Sequence, residues 1–298
     1  MIDARRQAAL RGLELAVLRR LDGILQGDYR GLLPGHGFDA GEARLYQAGD
    51  DVRRIDWNVT ARTLEPHVRD TIADRELETT LVMDMSASMS FGTAREEKRD
   101  TGLAAAGAVG FLVARGGNRI GGIVAGGATP DWIRPRAGRT HLLGLLGKMH
   151  AVGREGGRTE LEKLLETAER LAKRRGFVAV ISDFLDTGPW PQALRGLTSH
   201  HDVLAIEIID PRELELPDVG TITMTDPETG RRRFVHTSSA KMRDGYATAA
   251  AQQREDNRHH IRAAGADHLV LRTDRDWVAD LIRHVALRRR GQTSGRRP

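Results

Sequence analysis

Apolar residues follow one another along this chain in two patterns, short continuous runs and longer stretches with helical spacing. The short runs are rich in β-branched residues and predict buried strands. These runs lie at residues 79–85, 119–125, 177–183, 203–210 and 268–271. The helical spacing predicts helices at residues 95–114, 142–149, 161–171, 191–197, 239–264 and 276–288. Strands that alternate with helices indicate a three-layer α/β fold of Rossmann type, in which helices cover both faces of a mostly parallel central sheet.

A different pattern precedes this α/β region. Residues 4–26 place apolar side chains on one helical face and predict an amphipathic helix. From residue 31 to residue 75 the regular spacing disappears, and glycine-rich turns alternate with charged residues. We therefore predict an N-terminal helical and irregular extension over residues 1–76, an α/β domain over residues 77–290, and a disordered basic tail over residues 291–298.

Local patterns add two strand pairs. Residues 67–73 and 77–83 are expected to pair as antiparallel strands across a short turn. Residues 221–225 and 233–236 flank a turn sequence and predict a hairpin. The charged residues at 44–62 allow two interpretations, which the sequence leaves open. They form an ion-pair network in a segment that binds a partner, or they only orient a surface segment.

Composition narrows the possible classes of protein. The 298 residues include no cysteine, which excludes disulfides, thiol catalysis and thiolate metal sites. Aromatic residues make up 4% of the chain, too few for a platform that stacks nucleic-acid bases. The longest uncharged stretch, residues 102–114, is shorter than the roughly 20 residues that cross a bilayer. We expect a soluble cytoplasmic protein that neither spans a membrane nor binds nucleic acid.

Oxygen-bearing side chains follow the first strand of the predicted sheet. Asp84, Ser86 and Ser88 have the spacing D-x-S-x-S at its carboxyl end. Ligands of open α/β sheets bind beyond the carboxyl ends of the strands. One carboxylate and two hydroxyls there provide half a site for a hard cation such as Mg²⁺ or Mn²⁺. The alternative is that the two serines form a turn and cap the next helix.

Two further residues are candidates for the other half of this site. Asp183 ends the apolar run FVAVISD, as Asp84 ends its own strand. Two carboxylates at one sheet edge repel each other unless a cation or a proton lies between them. Thr159 follows a pair of glycines and could supply a third hydroxyl. It also begins a capping-box pattern, so its oxygen could instead cap a helix.

The order of these residues resembles the von Willebrand factor A domain. A D-x-S-x-S motif after a buried strand, a Thr after a Gly pair and an Asp after a later strand occur in that family's metal-ion-dependent adhesion site. The resemblance covers the chain from about residue 77 onward. It implies a von Willebrand factor A-like fold and a divalent cation, Mg²⁺ or Mn²⁺, at five residues. Those residues are Asp84, Ser86, Ser88, Thr159 and Asp183.

A second resemblance covers most of the chain. The residues that carry it are Gly35, Gly37, Arg44, Tyr46, Gly49, Asp50, Asp51, Arg53, Ile55, Asp56, Trp57, Ala61, Arg62 and the segment 210–217, DPRELELP. They are similar to the signature of domain-of-unknown-function family 58. The pair Asp39-Ala40 departs from the expected Glu-Phe. The resemblance implies a role as partner or adaptor of an AAA+ ATPase of the MoxR class, with a client protein as a further partner.

Two functions follow from these residues. The first is an interaction module whose bound cation recruits a partner in complex assembly or maturation. The second is a divalent-metal-dependent hydrolase of the phosphoesterase type, with the cation as Lewis acid. A hydrolase needs a nucleophile or base beside the metal, and an aspartyl phosphatase would want a second Asp near Asp84, where the chain has Met85 and Ser86. We therefore predict a non-enzymatic interaction module. Because the chain has no Walker A pattern, any ATPase must be a separate protein.

Overall fold

The computed structural model describes residues 43–47, 50, 52, 55–69, 78–94, 96–125, 130–152, 160–227 and 229–294. Contacts group the described residues into two compact units, one within residues 33–76 and one within the remainder of the chain. The helix predicted at residues 4–26 lies outside the described residues, as does Thr159.

The small unit contains two strands and one helix. Strand β1 (Ala43–Leu45) pairs in antiparallel orientation with β2 (His67–Arg69), and helix α1 (Trp57–Thr63) lies between them in sequence. The side chain of Asp56 accepts hydrogen bonds from the backbone of Asn58 and Val59, which caps α1. The prediction that residues 67–73 pair with residues 77–83 is therefore wrong, because β2 pairs with β1.

The larger unit is built on a six-stranded sheet. Its strands are β3 (Glu78–Asp84), β4 (Arg119–Ala125), β5 (Asp131–Arg136), β6 (Phe177–Ser182), β7 (Asp202–Ile209) and β10 (Asp267–Arg272). They lie in the order β10-β7-β6-β3-β4-β5. All neighbours are parallel except β4 and β5, which the sequence patterns did not predict as a pair. Strand β3 is central, and β4 and β6 occupy both of its edges.

Helices cover both faces of this sheet. They are α2 (Lys98–Arg115), α3 (Arg139–Ala151), α4 (Leu161–Leu171), α5 (Trp190–His200), α6 (Ala240–Ala263) and α7 (Trp277–Ser294). On one face α2 contacts β3, β4 and β6, and α3 packs beside it; α4, α5 and α6 join the core on the other face. This arrangement confirms the predicted three-layer α/β fold. The central strands read as continuous apolar runs because both of their faces are buried.

A close approach of α2 to the sheet sets its position. A Cβ atom at Gly102 would lie 2.9 Å from the Cε of Met83 and 3.2 Å from the Cγ2 of Ile181. Glycine therefore lets the first turns of α2 lie directly against β3 and β6. Consequently the amino end of α2, where Lys98 is the first residue, reaches the carboxyl ends of these two strands.

The remaining elements are a hairpin and the C-terminal helix. Strands β8 (Thr221–Thr225) and β9 (Arg232–His236) form the predicted antiparallel hairpin. Helix α7 continues to Ser294, so it includes the beginning of the segment that we expected to be a disordered tail. Residues 288–294 contain no proline, which allows the helix to continue. Among the residues with described structure, no helix is long and apolar enough to cross a membrane.

Candidate metal site at the carboxyl edge of the sheet

Asp84 is the last residue of β3, and 4% of it is exposed. Both oxygens of its carboxyl accept hydrogen bonds from the protein. The backbone N–H of Ser86 donates to Oδ1 at 2.9 Å, and the hydroxyl of Ser182 donates to Oδ2 at 2.7 Å. Ser182 ends the neighbouring strand β6, so these bonds join the ends of the two central strands.

The two serines of the D-x-S-x-S motif lie beside each other. The Oγ atoms of Ser86 and Ser88 are 3.0 Å apart. Residues Ala87–Ser90 form a 3₁₀-helix, so the predicted turn is present. The Ser86 side chain nevertheless makes no capping hydrogen bond to this helix. The Ser86 hydroxyl lies instead against that of Ser88, and side-chain hydrogen bonds join Ser86 to Asp84 and Ser88 to Asp183.

Asp183 directly follows β6 and is 2% exposed. The ammonium group of Lys98 donates to its Oδ2 at 2.7 Å, and the backbone N–H of Leu185 donates to Oδ1 at 3.2 Å. The structure therefore brings Asp84, Ser86, Ser88 and Asp183 to the same edge of the sheet, as the sequence predicted.

The two carboxyls carry different charge. Burial raises the pKa of Asp84 to about 7, and the negative charge of Asp183 adds to this effect. Burial alone would also raise the pKa of Asp183, but the ammonium of Lys98 holds it below its usual range. Asp183 is thus ionised at neutral pH, whereas Asp84, with a pKa of about 7, is protonated in about half of the molecules.

Lys98 is a site residue that the sequence patterns did not reveal. Its side chain is completely buried and forms ion pairs with Asp183 and with Glu213. Burial by itself would lower the pKa of this ammonium, but the two carboxylates keep the pKa above its ordinary value. In the sequence Lys98 stands among charged residues at a helix start, a pattern typical of a solvent-exposed turn, so no local signal marks it.

The segment that follows β7 carries Glu213, the second carboxylate that pairs with Lys98. Asp210 is fully buried and accepts hydrogen bonds from the backbone and hydroxyl of Thr93, from the hydroxyl of Thr273 and from the backbone of Arg212. The backbone of Asp210 in turn donates to Oε2 of Glu213 at 3.0 Å. This capping box fixes the carboxylate of Glu213 against Lys98. The signature residues at 210–217 thus include structural parts of the site.

A further ion pair, between Glu207 and Arg254, lies beside the backbone of Asp183. Glu207 on β7 is 1% exposed, and Arg254 on α6 donates to its Oε1 at 2.6 Å. The same guanidinium donates to the backbone oxygen of Asp183 at 3.3 Å. Nε2 of His268 lies 2.9 Å from Oε2 of Glu207. The carboxylate of Glu207 is therefore compensated by its own partners.

The helix that the sequence predicts after Thr159 is present as α4. Thr159 lies outside the described residues, whereas Leu161 begins α4. The backbone N–H of Leu161 donates to Oδ2 of Asp186 at 2.7 Å. Asp186 therefore supplies a carboxylate to the first turn of α4, a role for which the sequence had offered the hydroxyl of Thr159.

The donor set fits a hard divalent cation. Four carboxylates and two strong cations form the described cluster: Asp84, Asp183, Glu207, Glu213, Lys98 and Arg254. Negative charge is in excess, and Asp84 alone has no cationic partner within it. These carboxylates do not converge on one point: among the described residues, no three His, Cys, Asp or Glu side chains are placed to hold a metal ion by themselves. A cation here would consequently depend on hydroxyl and water oxygens as well as on carboxylates, which suits Mg²⁺.

Comparison with known proteins assigns the family. The model of the family described as "Protein of unknown function DUF58" matches residues 42–256, and the chain belongs to this family. An uncharacterized protein of Mycobacterium bovis is 51% identical over 295 residues, which cover 98% of this chain and 93% of that protein. An uncharacterized protein of Mycobacterium avium is 46% identical over 141 residues, which cover 47% of this chain and 83% of that protein. The resemblance to family 58 is thereby confirmed.

Solved structures that the chain resembles include von Willebrand factor A domains. An aerotolerance-related membrane protein from Bacteroides fragilis matches with a TM-score of 0.45 and 13% identity, covering 72% of this chain and 99% of that chain. The VWA domain of SpRpn10 matches with a TM-score of 0.41 and 14% identity, covering 69% and 93%. The fold class follows from the strand order and the layers described above.

Proposed function

We propose that this protein is a metal-dependent protein-interaction module. The observation that carries the proposal is the buried carboxyl pair of Asp84 and Asp183, in which only Asp183 has a cationic partner. Asp84, Ser86, Ser88 and Asp183, with Thr159 as the fifth predicted ligand, would hold Mg²⁺ or Mn²⁺. When bound, such a cation supplies positive charge and coordination positions that exchange water.

The proposed partner contributes an acidic side chain. Two carboxylates and three hydroxyls leave part of a six-coordinate shell to water. A Glu or Asp of the partner could replace that water and add a charge-assisted contact at the open edge of the sheet. On the basis of the family resemblance, we propose an AAA+ ATPase of the MoxR class as this partner, with a client protein as the third component.

The alternative function, a phosphoesterase-like hydrolase, draws support from one observation. A carboxyl with a pKa of about 7 could act as a general base near neutral pH. However, an aspartyl phosphatase would want a second Asp near Asp84, where the chain has Met85 and Ser86. We therefore favour the interaction module.

Calorimetric titration with Mg²⁺ and Mn²⁺ tests the metal. We expect heat of binding from the wild-type protein and none from Asp84→Asn, which keeps the shape of the side chain. Asp202→Asn is the matched control, because Asp202 is exposed at the amino end of β7, at the opposite edge of the sheet. Equal heats from the wild type and Asp84→Asn would overturn the metal assignment.

A second titration tests the partner. A MoxR-class ATPase is titrated in Mg²⁺ and again in EDTA, with the wild type and with Ser86→Ala. We expect removal of the cation to weaken binding at least tenfold, which corresponds to about 1.4 kcal/mol. Unchanged affinity in both EDTA and Ser86→Ala would show that the partner binds elsewhere, and the charged segment at residues 44–62 would be examined next.

A further inference from the structure

We infer that Lys98 is a built-in counter-cation of this site and that it competes with the divalent cation for Asp183. The inference rests on the proposed metal site and concerns a residue outside the predicted ligand set. Its consequence is that the protein sets the affinity of its own metal site through a lysine on α2. Removal of the lysine charge is therefore expected to strengthen metal binding.

The position of Lys98 supports this role. It is the first residue of α2, and its side chain is 0% exposed. An ammonium group has three hydrogen-bond donors. One donates to Oδ2 of Asp183 at 2.7 Å, and another donates to Oε1 of Glu213. The lysine charge is thus held directly on a predicted metal ligand rather than at a distance from it.

The surroundings of Lys98 hold the ammonium in this position. Asp183 follows β6, and Glu213 is fixed by the capping box with Asp210. The methylene stem is buried with α2 against the sheet, so the charge cannot reach solvent without disrupting this packing. Removing one partner of a buried ion pair leaves an uncompensated charge, which is strongly unfavourable. Lys98 therefore keeps Asp183 compensated when no metal is bound.

The same position opposes the metal. A divalent cation bound to Asp183 would lie near the positive charge of Lys98, and like charges repel strongly in a buried site. Glu213 offers the ammonium an alternative partner on its other side. We infer that metal binding moves the lysine charge from a shared position toward Glu213. The presence of two carboxylates on one ammonium makes such a shift possible without leaving the lysine unpaired.

Substitution of Lys98 tests the inference. Lys98→Met retains the length of the side chain and removes its charge. In calorimetric titration with Mn²⁺ we expect Lys98→Met to bind at least tenfold more tightly than the wild type. In thermal unfolding we expect the metal-free variant to melt at a lower temperature, and Mn²⁺ to raise this temperature more than it does in the wild type.

Two controls separate competition from general loss of buried charge. Arg254→Met removes the other strong cation of the cluster, which pairs with Glu207, lies 3.8 Å from Oε2 of Glu213, and touches Asp183 only at its backbone oxygen. We expect the dissociation constant of this variant for Mn²⁺ to stay within threefold of the wild-type value. Lys98→Arg retains the charge and is expected to bind Mn²⁺ no more tightly than the wild type. Equal tightening in Lys98→Met and Arg254→Met would overturn the specific role of Lys98.

A variant that leaves Lys98 in place provides an independent measurement should Lys98→Met fail to fold. Glu213→Gln removes the alternative partner, so the ammonium is concentrated on Asp183. We expect this variant to bind Mn²⁺ at least threefold more weakly than the wild type. Unchanged or tighter binding by Glu213→Gln would overturn the inference.

The outcomes for the inference and the proposed function differ. If the wild type binds Mn²⁺ and Lys98→Met binds it equally, competition by Lys98 is wrong while the metal site stands. If neither protein binds Mn²⁺, the metal site itself is wrong and the inference falls with it. If only Lys98→Met binds Mn²⁺, the competition is supported and the proposed dependence of the wild-type protein on metal is wrong.

Discussion

The hydroxyl of Ser182 donates a hydrogen bond to Oδ2 of Asp84 at 2.7 Å, and both residues are buried at the ends of adjacent parallel strands. The same hydroxyl oxygen accepts a hydrogen bond from the backbone N–H of Phe184 at 3.1 Å. Ser182 thus connects the carboxyl of one predicted metal ligand with the chain that carries the other, Asp183.

This relationship predicts the effect of Ser182→Ala. The change leaves a buried carboxyl oxygen and a buried backbone N–H without their partner, and we expect a loss of about 1–3 kcal/mol in the free energy of unfolding. Urea denaturation measures this loss. Ser199→Ala is the matched control, because Ser199 is exposed and its change should stay within about 0.5 kcal/mol. A loss in Ser182→Ala no larger than in the control would contradict the prediction.

Stability should depend on the ionisation of Asp84. The pKa of this carboxyl is about 7 in the folded protein, above the ordinary value of 3.8. Between these two pH values the folded state binds more protons than the unfolded state, so this residue's contribution to stability falls as the pH rises. The contribution is fully present below pH 3.8 and is lost as the pH passes about 7.

Asp84→Asn isolates this contribution, because an amide does not titrate. In metal-free buffer, we expect the free energy of unfolding of Asp84→Asn minus that of the wild type to increase from pH 4 to pH 7 and then to level off, in the range set by the two pKa values. Urea denaturation at several pH values measures the difference. Mg²⁺ should reduce the slope if the site binds it. A difference that is independent of pH would show that Asp84 titrates at its ordinary pKa.

Asp210 should be important for the turn that presents Glu213. Its carboxylate accepts hydrogen bonds from Thr93, Arg212 and Thr273, and these bonds hold its pKa below the usual range despite the opposing effect of burial. Asp210→Asn replaces one acceptor oxygen with a donor, and we expect a loss of about 1.5–3 kcal/mol in the free energy of unfolding.

Chemical denaturation also tests this substitution. Asp218→Asn serves as its control, since Asp218 lies in the same connection and forms an exposed ion pair with Arg243. An exposed pair contributes about 0–1 kcal/mol. Similar losses from the two substitutions would mean that the buried hydrogen bonds of Asp210 do not stabilise this turn.

The proposed module should not hydrolyse substrates. Lys98 is held in two ion pairs, and Met85 and Ser86 follow Asp84 where an aspartyl phosphatase would have a second Asp. We expect no turnover of phosphate esters, peptides or nucleotides in the presence of Mn²⁺. Turnover that disappears in Asp183→Ala would favour the hydrolase over the interaction module. Turnover that persists in this variant would show that the activity does not depend on Asp183.

Much of the α/β domain could be predicted from local patterns. Strands buried on both faces must be apolar throughout, so the runs that contain β3, β6 and β7 were visible in the sequence. Parallel strands bring their carboxyl ends to one edge, which is why Asp84 and Asp183 could be predicted to meet. Errors occurred where partners were chosen by nearness in sequence: β2 pairs with β1 rather than with β3.

Only the tertiary structure determined how the charges of the site are compensated. Lys98 contacts Asp183 across 85 positions and Glu213 across 115, so no local pattern could reveal either pair. Asp186 reaches the first turn of α4 across 25 positions, where the sequence suggested a neighbouring hydroxyl. The sequence by itself determined where apolar strands end and which oxygens follow them, because these are properties of consecutive residues. Which cation lies against which carboxylate was decided by the packing of α2 and the 210–217 segment on the sheet, because charge compensation depends on distance in space.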